Sequence, residues 1–130
     1  MVKKNLFDRV ISLLLIEDEG GITTPLKLFL EDMGFKVSVI GEIEKDTHDL
    51  IAKERPDLIF LDMFLSGNDG KVLCRQIKND ERTKTIPVVM MSAYPNAKEA
   101  SMSSGADGYM EKPFSISDFL EYIERFVSVK

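Results

Sequence analysis

The chain holds one cysteine, Cys74, and one histidine, His48. A single cysteine cannot form an internal disulfide, and there is no CxxC pair, so a disulfide scaffold and a zinc knuckle are both excluded. An excess of positive charge is also missing: 17 Lys and Arg stand against 22 Asp and Glu, for a net charge of −5. Phosphate backbones and anionic membranes attract basic footprints, so direct nucleic-acid binding is not expected. Long apolar runs are lacking too. Val10 to Ile16 falls far short of the ~20 residues that span a bilayer. Lys3 and Lys4 precede this run, but Asp8 and Arg9 break the approach and Glu17-Asp18-Glu19 closes it, which does not suit a signal peptide. No membrane insertion is expected, and the composition suits a reducing cytoplasm.

What is present suits one globular domain over residues 1–130. Domains cluster at roughly 100–150 residues, and 44% hydrophobic residues with modest net charge argue against disorder. Apolar segments alternate in type along the chain. A strand is expected at about 10–17, followed by a helix capped by Thr23 or Thr24, with Pro25 in its first turn and Gly34 as its stop. Leu26, Phe29, Leu30 and Met33 form that helix's apolar stripe. Phe35 to Ile40 alternates like a sheet edge. Ile43 to Arg55 reads as a polar helix ended by Pro56. A strand at about 57–62 leads into a turn-rich loop, Ser66 to Gly70. Lys71 to Asn79 follows as a helix, then a strand at about 86–92, a short helix from Pro95 to Ser104 and a strand at about 107–111. The last helix, about 116–127, opens on Ser115 with Asp118 as its capping-box partner.

Five strands alternating with five helices predict an α/β doubly wound parallel sheet of order 2-1-3-4-5, with helices on both faces. In such sheets ligands sit at the carboxyl ends of the strands, where the first and third strands are neighbours. Those ends carry Glu17-Asp18, Asp62, Ser92 and, just past the fifth strand, Lys112-Pro113. Crowded carboxylates call for a cation, and oxygen donors with room for water suit Mg²⁺. The lysine suits a phosphoryl oxygen. With Mg²⁺, the charges of Glu17, Asp18, Asp62 and Lys112 sum to about zero. An aspartyl phosphate of charge about −2 would move the total only to roughly −1.

These residues resemble the receiver domain of bacterial two-component response regulators. The resemblance is carried by Glu17-Asp18, Asp62 with Asp69-Gly70 downstream, Ser92-Ala93, Tyr109 and Lys112-Pro113-Phe114, in order over nearly the whole chain. It implies that Asp62 accepts a phosphoryl group from the phosphohistidine of a sensor histidine kinase or phosphotransfer protein. Asp18 and Asp62 would bind Mg²⁺ directly, Glu17 through water, and the backbone carbonyl of Phe64 would add a ligand. Lys112 would contact a phosphoryl oxygen, and its bond to Pro113 would be cis. Ser92 and Tyr109 would be the switch pair, acting on the fourth helix, fifth strand and fifth helix, Pro95 to Val127, which would meet an output partner or effector domain. Such a domain is not a conventional enzyme: it catalyses its own phosphorylation and slow dephosphorylation. Phe64 and Tyr94 are expected to flank the path of water to the acyl phosphate. The chain departs from the family pattern at Ser66, where proline is usual, and at Gly20-Gly21, which are expected to loosen the first loop.

Blander readings apply to other residues. Glu19 suits a solvated strand end, Cys74 a buried small hydrophobe, His48 a surface position, and Tyr109 suits plain packing as well as a switch. Three rival functions share parts of the pattern. A flavin-binding flavodoxin-like domain could use Gly20 to Thr24 to cradle phosphate, though Glu17, Asp18 and Glu19 would repel it. A hydrolase with an aspartate nucleophile usually carries a second carboxylate where Phe64 stands. A phosphorylation-independent, receiver-like interaction module would not need the intact acceptor set.

Overall fold

The structure is a computed structural model that describes residues 9–18, 20–65 and 68–127. Lys3, Lys4, Asp8, Glu19 and Ser66 lie outside the described residues. The elements run β1 (Ser12–Ile16), α1 (Gly20–Asp32), β2 (Lys36–Ile40), α2 (Thr47–Glu54), β3 (Leu58–Asp62), β4 (Phe64–Leu65), β5 (Asn68–Asp69), α3 (Gly70–Lys78), β6 (Val88–Ser92), α4 (Ala97–Ser103), β7 (Gly108–Glu111) and α5 (Ile116–Val127). Five of the strands form one parallel sheet in the order β2-β1-β3-β6-β7, which is the expected 2-1-3-4-5 once the short β4–β5 hairpin is set aside.

The interior strands are apolar on both faces because both faces are covered. Leu14, Ile16, Ile59, Leu61, Val88 and Met90 share one buried layer with Ile51, Leu73, Cys74 and Ile77. Leu13, Leu15, Leu58, Phe60, Val89 and Met91 share the other with Leu26, Leu30, Phe119 and Ile123. The period-2 alternation of side chains divides each strand between the two layers. The α5 cap forms as its sequence requires: the Asp118 carboxylate accepts from Ser115 N–H at 2.8 Å, and Ser115 Oγ accepts from Asp118 N–H at 3.3 Å.

Several boundaries and faces differ from the sequence expectation. Helix α1 begins at Gly20, so neither Thr23 nor Thr24 caps it and Gly20-Gly21 are helical rather than part of a loose loop. Pro25 therefore stands in the second turn, where it forfeits the bond to the Gly21 carbonyl. Phe29, expected on a buried stripe, is 48% exposed, because the sheet covers a narrower arc of the helix than the apolar spacing allows. Strands β1, β3, β6 and β7 start one or two residues later than expected, and β1 also ends one residue earlier. Asp57 precedes β3 and instead uses its carboxylate to accept from Ser12 N–H at 2.8 Å and from Arg9. Helix α2 starts at Thr47 rather than Ile43, and α4 at Ala97 rather than Pro95. The loop after Asp62 contains a two-residue hairpin, Phe64↔Asp69 and Leu65↔Asn68. His48 is not a plain surface residue. Its Nε2 lies 3.2 Å from Asp80 Oδ2 and 3.3 Å from Thr83 Oγ1, between α2 and the segment after α3.

Candidate functional site

The carboxyl ends of β1, β3, β6 and β7 meet in one cleft of about 230 Å³, lined by Asp18, Asp62, Phe64, Ser92, Ala93, Tyr94 and Lys112. Ladder bonds set each side chain in place. Glu17 N–H donates to the Ile40 carbonyl at 3.0 Å, Met63 N–H to Met91 at 2.8 Å and Lys112 N–H to Ser92 at 2.8 Å. Beneath Asp62, Gly70 N–H donates to the Met63 carbonyl at 2.7 Å. A Cβ on Gly70 would collide with the Asp62 carbonyl oxygen, so this close approach requires glycine.

Asp62 is buried and held from both sides. Its Oδ1 accepts from Phe64 N–H at 3.1 Å, and its Oδ2 accepts from Lys112 Nζ at 2.9 Å. The same lysine nitrogen lies 2.8 Å from Glu17 Oε1. Glu17 is buried behind Lys112, whereas Asp18 is exposed. Glu17, Asp18 and Asp62 each offer a carboxylate oxygen, all within 4.8 Å of one another.

Electrostatics follow from this crowding. Burial pushes Glu17 up to about 6 and the Asp62 charge adds to the rise, while Lys112 opposes both. For Lys112, burial acts to lower its value, but the bonds to Glu17 and Asp62 outweigh that and hold it above the ordinary lysine range. The cleft is thus an all-oxygen acidic trio offset by one ammonium. Its donors fit a hard divalent cation that keeps part of its water.

Around the rim, Ser92 Oγ accepts from Tyr94 N–H at 3.0 Å, and Tyr109 reaches the Ser92 carbonyl with its hydroxyl at 3.4 Å. The Phe64 and Tyr94 rings, both exposed, meet edge to face with centroids 4.9 Å apart. The Lys112–Pro113 bond is cis. Two apolar grooves elsewhere, of about 270 and 370 Å³, gather no cluster of charged side chains. Sequence reasoning missed the Phe64 N–H donor and the Gly70–Met63 bond, since backbone donors leave no residue-type signal; the Asp69-Gly70 pair was their only trace.

The response regulator receiver domain family matches residues 13–124, and the chain belongs to that family. Among curated relatives, the transcriptional regulatory protein AfsQ1 of Streptomyces coelicolor is 40% identical over 104 residues, covering 78% of this chain and 44% of that protein. The chain therefore spans less than half the length of that relative. A signal receiver domain of a signal transduction histidine kinase from Syntrophus aciditrophicus is 27% identical with a TM-score of 0.80, covering 91% of this chain and 90% of that one. A two-component response regulator of Clostridium difficile is 27% identical with a TM-score of 0.77, covering 90% and 95%. This is a receiver domain of two-component signal transduction, a family whose acidic site binds Mg²⁺. The flavin reading falls with that assignment and with the helical state of Gly20-Gly21. Among the described residues no helix is long and apolar enough to cross a membrane.

Proposed function

We propose that this receiver takes a phosphoryl group on Asp62 from the phosphohistidine of a kinase or phosphotransfer partner. The observation that carries the reading is the placement of one lysine nitrogen at 2.8 and 2.9 Å from two buried carboxylates, beside a third that is open to solvent. Asp18 and Asp62 would hold Mg²⁺ directly, with Glu17 acting through water and the Phe64 carbonyl as a further donor. When bound, the ion neutralises charge on the phosphoryl oxygens and on the acceptor.

A carboxylate oxygen of Asp62 attacks phosphorus, the P–N bond breaks, and its electron pair stays on the imidazole, which takes up a proton. Lys112 then shifts its bond from the Asp62 carboxylate to a phosphoryl oxygen, and Ser92 Oγ–H donates to another. Hydrolysis reverses the gain: water attacks phosphorus, the carboxylate leaves and phosphate is released. Positioning and charge compensation supply the catalysis. Phe64 and Tyr94 narrow the approach of that water. The face from α4 through β7 to α5 presents the result to an output partner or effector domain, in the cytoplasm.

Intact mass after incubation with acetyl phosphate and Mg²⁺ tests this reading. One phosphoryl adduct is expected on the parent and none on Asp62→Asn; an adduct surviving in Asp62→Asn would refute it.

A further inference from the structure

Strand β7 separates two aromatic side chains that the site chemistry leaves unlinked. Alternation along the strand sends Tyr109 toward the layer of α3 and α4, and Met110 toward the layer of α5. On the first side, Tyr109 reaches the Ser92 carbonyl, which also accepts from Lys112 N–H. On the other side, Tyr122 of α5 donates its hydroxyl to the backbone carbonyl of Tyr109 at 2.7 Å, the shorter of the two phenol contacts.

The Tyr122 ring is held where that bond requires it. It lies over Gly108, where a Cβ would come within 2.7 Å of Tyr122 Cε1 and 3.3 Å of Val89 Cγ2. The Arg125 guanidinium sits 4.8 Å from its centroid, and Phe126 stacks 6.1 Å away at an interplanar angle of 8°. A bare strand position, a short hydrogen bond and a stacked ring thus converge on one backbone carbonyl.

We propose that Tyr122 is a positioning residue of the switch. Its hydroxyl ties α5 to the backbone of Tyr109, so a displacement of Tyr109 behind the phosphorylated cleft is carried through the strand to the opposite face. Tyr122 touches no reacting atom. The inference rests on Asp62 phosphorylation, and it adds a specific mechanical link between β7 and α5.

The test compares backbone amide spectra of the parent, Tyr122→Phe and Gly108→Ala, each with and without acetyl phosphate and Mg²⁺, with intact mass taken in parallel. Phosphorylation of the parent should shift amides across Glu121 to Arg125. In Tyr122→Phe the ring packing stays and the adduct forms to the same extent, but those shifts shrink by about twofold or more, since one neutral hydrogen bond changes the coupling equilibrium by about fivefold. Amides of Ala93 and Lys112 respond as in the parent, which a general loss of structure would not allow. Gly108→Ala displaces the ring and should give the same selective loss. Full α5 shifts in Tyr122→Phe at equal adduct would overturn the link alone, whereas no adduct on the parent would overturn the phosphoacceptor reading and the link with it.

Discussion

Lys112→Ala should push metal-free stability and Mg²⁺ affinity in opposite directions. In the folded chain its ammonium lies 2.8 Å from Glu17 and 2.9 Å from Asp62, with 16% of the side chain exposed. Removing one partner of a buried ion pair costs about 3–5 kcal/mol, and the residual exposure places this loss near the lower end, at about 3 kcal/mol. Glu17, already held at about 6 by burial, can take a proton and soften the loss in acid, so the deficit should be larger at alkaline pH than near pH 5. The same ammonium repels a divalent ion. At ion-pair range in water-like surroundings that repulsion is about 2 kcal/mol, so the variant should bind Mg²⁺ roughly tenfold or more tightly. Urea unfolding with EDTA and calorimetric titration with Mg²⁺ read the two effects separately. A metal-free stability within ~0.5 kcal/mol of the parent, as for an ordinary surface substitution, would refute the burial argument. Weaker Mg²⁺ binding would refute the charge argument.

Gly70→Ala drives a methyl group into the Asp62 carbonyl oxygen and to within 3.2 Å of Met63 Cα, backbone that cannot yield as a side chain would. We expect a loss of about 3 kcal/mol and a Tm lower by roughly 10 °C in a thermal melt, and an unchanged Tm would contradict the close approach. For pH, Glu17 holds its proton up to about 6 in the folded chain, against an ordinary value of 4.5. Its contribution to stability is complete below pH 4.5 and is lost as pH rises through 6. Urea midpoints of the metal-free protein should therefore carry a declining component across that window, and saturating Mg²⁺ should flatten it. Persistence of the component at saturating Mg²⁺ would count against Glu17 as its source. Opening the aromatic rim with Phe64→Asn and Tyr94→Glu together should shorten the lifetime of the phosphorylated protein by about tenfold, on the scale of repositioning one reacting water. Decay of the mass adduct measures it, and an unaltered lifetime would remove both rings from the water path.

The sheet order was legible because β1, β3 and β6 are each apolar on both faces, and only a doubly covered parallel strand requires that. The cleft was legible as well, since polar residues that end such strands are carried to one rim by topology. Helix starts were harder to read. Thr23 and Thr24 offer good capping oxygens, yet α1 reaches back to Gly20 because packing of Leu26 and Leu30 against the sheet sets the helix and its first turn simply continues the axis. Asp57 looked like the first residue of a strand, but its carboxylate serves Ser12 and Arg9 instead, a long-range bond with no local signature. The direction of Glu17 depended on a single ladder bond to Ile40, which only the paired register reveals. Tyr122 was not legible as a special position, because nothing in the spacing of α5 announces a glycine opposite.

The ammonium beneath Glu17 and Asp62 has a bearing on how the protein matures. Part of the repulsion inside the acidic pocket, that between Glu17 and Asp62, is offset from within the chain, so collapse during synthesis need not wait for an inorganic ion to arrive. On the function proposed above, scarcity of magnesium in the cell would then silence signalling while leaving the pool of folded receiver intact and ready to resume.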